Sequence, residues 1–286
     1  MNRPVDHIPL GPDDFEAIAA LAYRESGLQL VAEKTSMIQS RLRHRIRELG
    51  LVDFEAYTSF VCSSDGKEER RHMIAALTTN VSHFFRESHH FDLMIQSIQE
   101  NTIPKLKAGN RLRIWSAGCS NGQEAVSVCI KLLEAFPQAK KWDIKILATD
   151  IDPNVLRFGN QGIYHERLTA SVPKPLLGKY FTESVSNGEN SFKTTHEVRQ
   201  MISFKELNLL ANWPMKRRMD FIFCRNVVIY FDQKTQNALW PRFHTQLKPN
   251  GLLFVGHSER VPDPEKIGFE SCGPTTYCPL QANCRD

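Results

Sequence analysis

From Gly109 onward, short apolar runs alternate with stretches of helical periodicity, and this alternation constrains the fold more than any other feature of the chain. The runs are RLRIWSAG, KILATD, MDFIFCRN and GLLFVGHSE, and the helical patterns cover 123–136, 153–159 and 233–247. Strand, helix and strand in succession are typical of parallel strands joined by crossover helices. We therefore predict an α/β domain. Two last runs flank Pro274 and predict a terminal hairpin, which adds an antiparallel edge to the sheet.

The first third of the chain shows only helical patterns. In DDFEAIAALAYRESG and MIQSRLRHRIRELG, apolar residues recur at helical spacing, and each stretch ends in a glycine that suits a helix end. Two further helical stretches follow around 53–62 and 67–77. The sequence therefore predicts an N-terminal all-helical domain with its linker over residues 1–90 and an α/β domain over residues 91–286.

One stretch interrupts the alternation of strands and helices. Residues 178–206 contain an Asn187-Gly188 turn signal between two runs that favour β-strands. We interpret this stretch as a small antiparallel β-subdomain inserted in the α/β domain.

Composition excludes several classes of protein. No apolar run in the 286 residues approaches the roughly 20 residues that a membrane span needs. The seven cysteines form no CxxC pair, which argues against a zinc ribbon or a disulfide framework and for reduced thiols in a cytoplasmic protein. The net charge of +4 is too small to demand a nucleic-acid partner.

A basic segment stands out within residues 34–47, which carry Arg41 and Arg45 on one face of a predicted helix. One interpretation is a solvated helix face. The other is a docking surface for an acidic protein or a nucleic acid, and we expect Arg41 and Arg45 to contribute to it.

The turn after the first strand run has the character of a ligand-binding loop. Gly118 and Gly122 flank the tight turn, and glycines let a backbone approach a ligand closely. The dinucleotide pattern GxGxxG is absent, which disfavours an NAD-dependent dehydrogenase. The turn is closer to the GxGxG turn of methyltransferases that use S-adenosylmethionine, with Ser120 at the middle glycine. Ser120 and Gln123 also predict a capping box at the next helix.

Polar residues follow the next strand runs. Asp150 ends KILATD, where a carboxylate accepts hydrogen bonds from a ribose diol; the alternative is that Asp150 or Asp152 only caps the next helix. Asn208 follows a further strand and offers a donor and an acceptor to an adenine edge. Arg225 and Asn226 end the MDFIFC strand, beside the crevice where ligands bind in open α/β sheets.

The motifs TTNVSHFFRESHHF, IWSAGCSNGQE, ATDID, LNLL, FCRNVVIYFD and LLFVGHSE, in this order and spacing, resemble the CheR family of chemotaxis receptor methyltransferases. The resemblance covers nearly the whole chain. It implies a Rossmann-like methyltransferase domain, an N-terminal helical domain and an inserted β-subdomain. It also implies methyl transfer from S-adenosylmethionine to glutamates of membrane chemoreceptors, by a cytoplasmic enzyme recruited to receptor arrays.

The resemblance also implies roles for individual residues. Arg86 and Tyr230 are expected nearest the chemistry, and the β-subdomain over 178–206 is expected to dock receptors, with a receptor C-terminal tail as a further partner. The implied cofactor contacts are Asn80, Ser82, Arg86, Gly118, Glu124, Asp150, Asn208, Leu209, Arg225 and Asn226. The family often has threonine where this chain has Ser82, and Gly-Glu-Glu-Pro-Tyr-Ser where it has Gly122-Gln123-Glu124-Ala125-Val126-Ser127.

Two alternative functions and a metal site have less support in the sequence. A nucleic-acid methyltransferase is disfavoured because no Asn-Pro-Pro-Tyr or Asp-Pro-Pro-Tyr motif follows the fourth strand. A non-catalytic receptor-binding adaptor would not need the complete set of site residues. His83 and His90 are seven residues apart without a third ligand, so we expect no metal.

Overall fold

The structure, a computed structural model, describes residues 9–186 and 188–280. It divides into two compact units. The first comprises Met1–Thr79 and Tyr230–Thr235, and the second comprises Asn80–Ile229 and Gln236–Asp286. The division therefore falls between Thr79 and Asn80, so residues 80–90, which the sequence suggested as a linker of the helical domain, belong to the α/β unit.

The first unit is built from helices, as its periodicity predicts. They are α1 (Pro12–Ser26), α2 (Thr35–Glu48), α3 (Phe54–Cys62) and α4 (Lys67–Leu77). Ile38, Leu42 and Ile46 of α2 are fully buried because their spacing puts them on one face. Helix α1 ends where Gly27 takes a left-handed φ of 72° and its N–H bonds to the Tyr23 carbonyl.

The second unit carries a seven-stranded sheet in the order β6-β2-β1-β7-β8-β10-β9. Its strands are β1 (Leu112–Ala117), β2 (Ile144–Asp150), β6 (Ile202–Glu206), β7 (Met219–Cys224), β8 (Leu247–Val255), β9 (Phe269–Gly273) and β10 (Thr276–Pro279). The first five strands in that order pair in parallel, while β10 and β9 are antiparallel. The predicted α/β fold and terminal hairpin are confirmed. Central strands such as β1 and β7 are apolar on both faces because helices cover both faces.

Helices of the second unit connect and cover these strands. They are α5 (His89–Asn101), α6 (Ile103–Lys107), α7 (Gln123–Ala135), α8 (Pro153–Gln161), α9 (Glu166–Thr169), α10 (Lys174–Tyr180), α11 (His196–Arg199), α12 (Gln233–Gln246) and α13 (Pro264–Ile267). Short 3-10 turns lie at Ala32–Lys34, Pro137–Lys141 and Val228–Tyr230. Within the described residues, no helix has the length and apolar character needed to cross a bilayer.

A separate three-stranded antiparallel sheet lies between β2 and β6 in the chain. It consists of β3 (Ile163–His165), β4 (Phe181–Ser186) and β5 (Glu189–Thr194), in the order β3-β5-β4. Its bounds differ from the predicted 178–206. The upstream β3 belongs to it, whereas Ile202–Glu206 pairs with β2 in the large sheet. Asn187 of the predicted turn lies outside the described residues.

Candidate active site

The turn between β1 and α7 forms the base of the site. Gly118 has a φ of 79°, and a Cβ atom there would lie 2.3 Å from Cγ2 of Val227. Only glycine satisfies both conditions without strain. The turn therefore brings bare backbone next to the segment that follows β7.

The predicted capping box at the start of α7 is wrong. Gly122 is the N-cap residue, and no side chain caps the helix. Ser120, with a φ of 50°, donates instead from its hydroxyl to the Asn80 carbonyl at 3.1 Å. The Gln123 amide donates to the Ser82 carbonyl at 3.4 Å. Both side chains therefore hold residues 80–82 over the turn.

Two aspartates after β2 have different partners. Asp152 caps α8 through the Asn154 N–H at 2.8 Å and accepts from the Asn80 amide at 3.0 Å. Asp150 accepts from the N–H groups of Ser120 and Asp152 at 2.8 and 3.0 Å. Burial raises the pKa of Asp150, and these N–H groups oppose the rise. A carboxylate has about four acceptor positions, so Asp150 retains acceptors for a diol after both bonds.

The loop after β6 forms a second side of the candidate site. The Leu207 N–H donates to the Asp150 carbonyl at 2.9 Å, which places Asn208 next to the end of β2. The Asn208 side-chain oxygen accepts from the Leu210 N–H at 2.9 Å. Leu209 is buried, with 7% of its surface exposed. The ends of β2 and β6 thus bring Asp150, Asn208 and Leu209 near one another.

Residues 80–88 form a strap, which we define as the segment that leads from Asn80 to α5. Phe84 anchors it, with its ring edge-on to Tyr164 and Phe181 at 5.0 and 5.6 Å between centroids. Phe85 and Glu87 both have left-handed φ angles, 56° and 50°. Such conformations cost free energy in non-glycine residues and persist where packing imposes them. Arg86 is held between these two residues.

Arg86 carries an unneutralised charge. Its guanidinium makes one long hydrogen bond, 3.4 Å to the Val81 carbonyl. Over the part of the chain that the structure describes, no carboxylate lies within ion-pair distance of it. Arg86 therefore forms no surface salt bridge with the neighbouring Glu87. A cationic fork in this state can bind a carboxylate with two parallel hydrogen bonds.

Arg225 is the buried hub of the site. Its Nε lies 3.3 Å from Glu87 Oε2 and 3.3 Å from Glu124 Oε2, and its side chain is 3% exposed. Its Nη2 donates to the Arg86 carbonyl at 2.5 Å, and the guanidinium lies 5.5 Å from the Phe91 ring centroid. Arg225 thus ties the strap to the end of β7.

Glu124 has protein partners in the structure. It accepts from the Ser116 hydroxyl at 2.6 Å and faces Arg225. Burial raises the pKa of Glu124, and Arg225 opposes the rise. Burial also tends to raise the pKa of Glu87, but the Arg225 charge and the hydrogen bonds from His257 outweigh burial, so the pKa of Glu87 is lowered. One guanidinium therefore faces two acidic groups, and the cluster favours an additional cation.

Glu259 was missed by the sequence analysis. It is 3% exposed and accepts from the N–H groups of Gly256, Asn226 and Val227 at 2.6, 2.8 and 2.9 Å. These bonds hold Asn226 in a left-handed conformation with a φ of 59°. The acid in LLFVGHSE was visible in the sequence, but its partners Asn226 and Val227 lie 33 and 32 residues upstream. It fixes the loop that presents Arg225 and Asn226.

Comparison with known families agrees with this arrangement. The profile described as "CheR methyltransferase, SAM binding domain" matches residues 80–278, and "CheR methyltransferase, all-alpha domain" matches residues 13–78. The chain belongs to the CheR methyltransferase family. It is an S-adenosylmethionine-dependent chemotaxis protein methyltransferase, and the two profiles meet at the boundary between the compact units.

Individual CheR relatives align over almost their full lengths. A protein of Rhizobium etli described as "Probable chemotaxis protein methyltransferase" is 42% identical over 257 residues, which cover 90% of this chain and 96% of that protein. Chemotaxis protein methyltransferase 2 of Pseudomonas aeruginosa is 37% identical, with 93% of each chain covered. The chemotaxis protein methyltransferase of Escherichia coli is 37% identical, covering 95% of this chain and 92% of that protein.

The arrangement of this CheR chain fits S-adenosylmethionine on structural grounds. Asp150 offers acceptors to a ribose diol, and Arg86 offers an unneutralised fork to a carboxylate. The acidic excess around Arg225 suits an ammonium group. Over the described residues, no group of three or more His, Cys, Asp or Glu side chains is placed to hold a metal ion.

Tyr230 belongs to the helical unit. Its hydroxyl donates to the Thr79 carbonyl at 3.2 Å, and its own carbonyl accepts from the Gln29 N–H at 2.9 Å. The chain therefore passes from Ile229, in the SAM-binding unit, to a tyrosine that the helical unit holds.

The docking role expected for Arg41 and Arg45 stays a prediction, and both guanidiniums also have partners within the helical unit. The Arg41 guanidinium donates to the carbonyls of Leu77 and Thr78 at 2.9 and 2.7 Å, where α4 ends. Arg45 donates to Glu69 through Nε at 3.0 Å and Nη2 at 2.7 Å, and Glu69 is 5% exposed. Both guanidiniums therefore form hydrogen bonds within the helical unit, because Arg41 and Arg45 lie beside the buried apolar residues of α2.

His90 is a packing residue. It is fully buried, and its Nε2 lies 2.8 Å from Oγ1 of Thr275. Burial lowers the pKa of His90 to about 4, with help from the nearby Arg225 charge. The imidazole is therefore neutral at pH 7.

Proposed function

We propose that this enzyme methylates glutamate side-chain carboxylates of membrane chemoreceptors and produces glutamate methyl esters. Two features of the site carry the proposal: the guanidinium of Arg86 has no neutralising acid, and two carboxylates face the single guanidinium of Arg225. A zwitterionic amino-acid moiety such as the methionyl end of S-adenosylmethionine has one carboxylate and one ammonium. Arg86 suits the former, and Glu87 and Glu124 suit the latter.

The chemistry needs no general base. Glutamate has a reference pKa near 4.3, so the substrate is already a carboxylate at neutral pH. Bound S-adenosylmethionine supplies an electrophilic methyl group on a sulfonium. A substrate carboxylate oxygen bonds to the methyl carbon while the carbon–sulfur bond breaks, and the electron pair stays on sulfur. The products are a neutral ester and S-adenosylhomocysteine, and no proton moves.

The chain's contribution is therefore orientation and exclusion of water. Alignment alone supplies roughly 7–11 kcal/mol in favourable cases. We assign the ribose to Asp150, the adenine edge to Asn208 and Leu209, and further contacts to Asn80, Ser82, Gly118 and Asn226. Tyr230 is assigned to orient the substrate carboxylate through its hydroxyl. Arg225 positions the strap by binding the Arg86 carbonyl.

The partner is the cytoplasmic domain of a methyl-accepting chemoreceptor, which recruits the cytoplasmic enzyme to receptor arrays. A receptor tail is proposed to add a strand to the small sheet. Strand β4 is an edge strand, and its Val185 is 71% exposed. Edge strands bind extended peptides through main-chain hydrogen bonds, and exposed apolar side chains add specificity.

The test is incubation with methyl-labelled S-adenosylmethionine and membranes that carry chemoreceptors. Label released by mild base from receptor glutamates is the expected result. Label on added RNA or DNA would assign a nucleic-acid methyltransferase instead. Binding to receptors without any label transfer would leave a non-catalytic adaptor. Methylation of receptors that lack their C-terminal tail measures catalysis without the proposed contact between the tail and β4.

A further inference from the structure

The connection from β6 to β7, residues 207–218, contains no helix. Parallel strands of one sheet are normally joined by a crossover helix that covers one face. Here Trp213 of the connection packs edge-on against Trp115 of β1, with 4.8 Å between ring centroids, and also contacts Phe243. The Trp213 ring therefore covers this face of the sheet as far as β1. Beyond Trp213, the connection places no helix on the same face of β2 and β6.

Strand register identifies the side chains on this open face. Trp115 aligns with Leu147, and Leu147 aligns with Ser203, so all three share one face. Lys145 and Lys205, each two residues away, point the same way. Lys145, Ser203 and Lys205 are exposed.

The opposite face of the same strands is covered. Phe204, which alternates with Ser203, packs so closely on α7 and α8 that a Cβ on Gly159 would lie 2.6 Å from its ring. Only one face of the β2–β6 edge is therefore open.

The connection turns this open face into a groove. Met215, Lys216 and Arg217 line it together with strand residues, and it encloses about 480 Å³. Its apolar side chains are Leu147, Met215 and Met219, and its cations are Arg113, Lys145, Lys216 and Arg217. Ile114 and Ile146 also border it, but they alternate with Trp115 and Leu147, so their side chains lie on the covered face. Among the residues that the structure describes, no aspartate or glutamate lines it.

Most of these cations lack a neutralising acid. Arg113 is paired with Asp143 at 2.7 Å. The Lys145 ammonium contacts the Gln200 carbonyl at 3.2 Å. Within residues 9–186 and 188–280, no carboxylate lies within 4.0 Å of Lys145, Lys216 or Arg217. The groove therefore combines an apolar floor with a positive rim.

We propose that this groove binds an acidic polypeptide segment with large apolar side chains, contributed by a partner protein. Acidic residues complement the rim, which raises association rate and specificity. Apolar side chains fill the floor, where the flexible Met215 and Met219 adapt to their shape. Because the groove is concave, it fits the protruding side chains of a peptide better than the flat surface of a bilayer. The groove lies toward the amino ends of β1 and β2, so it is separate from the methyl-transfer site.

The probe is a fluorescein-labelled peptide that alternates glutamate and leucine, with binding to the full chain followed by fluorescence anisotropy. The double variant Lys216→Glu, Arg217→Glu is expected to weaken binding at least tenfold. Lys174→Glu, a charge reversal at an exposed lysine of α10 outside the groove, is the matched control and should bind as the parent does. Affinity for S-adenosylhomocysteine should stay unchanged in both variants, which verifies that they fold.

Three peptide results would overturn the proposal. They are no binding of the peptide, equal binding by the parent and the double variant, and equal binding of a peptide in which serine replaces leucine. Vesicles containing phosphatidylserine test the other anionic surface. If the double variant loses vesicle binding and the peptide does not compete, the groove is a membrane contact and the proposal fails. Peptide-dependent slowing of amide exchange in β6 is the expected second readout.

Discussion

The backbone N–H of Ser120 donates a 2.8 Å hydrogen bond to the buried carboxylate of Asp150. The turn after β1 is thereby fixed to the end of β2 without any ligand. Ser120 also reaches the strap through the Asn80 carbonyl at 3.1 Å. One residue therefore connects three parts of the proposed cofactor site, and such preorganisation would lower the conformational cost of binding.

Asp150→Ala should weaken binding of S-adenosylhomocysteine at least tenfold, about 1.4 kcal/mol. The variant removes the ribose acceptors and leaves the Ser120 N–H without its partner. Calorimetric titration measures the affinity. Asp143→Ala is the control, because Asp143 pairs with Arg111 and Arg113 at the far ends of the strands. Unchanged affinity in Asp150→Ala would remove this residue from the site.

Gly118→Ala should destabilise the fold in two separable ways. The left-handed φ of 79° strains an alanine, by about 1–2 kcal/mol. The new Cβ also meets Val227 at 2.3 Å. Denaturant unfolding in a double-mutant cycle with Val227→Ala measures both effects. We expect the alanine at 118 to cost less in the Val227→Ala background, and equal costs would contradict the close contact.

Arg225→Met should reduce the free energy of unfolding by about 3–5 kcal/mol, because it leaves the carboxylates of Glu87 and Glu124, each only 11% exposed, without their shared cation. Adding Glu87→Gln and Glu124→Gln should recover part of that loss, since the stranded negative charges are then removed. Urea unfolding of the parent, the single variant and the triple variant measures the effect. A triple variant less stable than Arg225→Met alone would show that the charges do not oppose each other.

His90 should make stability fall between pH 6.5 and pH 4. Burial and the Arg225 charge lower its pKa to about 4, from an ordinary value of 6.5. In that window the unfolded chain binds a proton on this histidine and the folded chain does not, so the free energy of unfolding falls by on the order of 3 kcal/mol as pH decreases. His90→Gln does not titrate, so its unfolding free energy should change less between pH 7 and pH 4.5. Parallel pH profiles of parent and variant would exclude this histidine as the cause.

Arg45→Glu should destabilise the helical unit instead of selectively impairing receptor docking. It places an acid beside Glu69, which is buried and also accepts from the Tyr57 hydroxyl at 2.9 Å. We expect the melting temperature to fall by about 5 °C or more. Lys34→Glu, at an exposed lysine just before α2, should leave it unchanged. Loss of receptor methylation at an unchanged melting temperature would instead support a docking role for Arg45.

The sequence predicted the central strands well because buried parallel strands are continuous apolar runs. It placed Ile202–Glu206 in the β-subdomain as well as treating it as a strand before Asn208. The ambiguity arose because an edge strand with one open face, such as ISFKE, alternates like a strand of a small antiparallel sheet. Ile163–His165 was too short to stand out.

The position of a site residue could be predicted where it lies next to its own strand end, as Asp150 does. The sequence did not reveal Glu259, Glu87 and His257 because their partners are remote along the chain. The His257 N–H, for example, donates to Glu87 at 3.0 Å across 170 positions. Spacing also placed Arg41 and Arg45 on one helix face correctly, but spacing does not reveal what lies opposite that face.

The chain crosses between its two compact units three times, after Thr79, after Ile229 and after Thr235. No single cut therefore separates a self-sufficient catalytic fragment. A truncated chain starting at Asn80 would keep the segment 230–235 but lose Tyr23, whose hydroxyl binds Asp232 at 2.8 Å, and Gln29, which binds the Tyr230 carbonyl. Gene fusions and domain exchanges that join at residue 79 alone would thus inherit the segment 230–235 without its hydrogen-bond partners, so an exchange should transfer both units together.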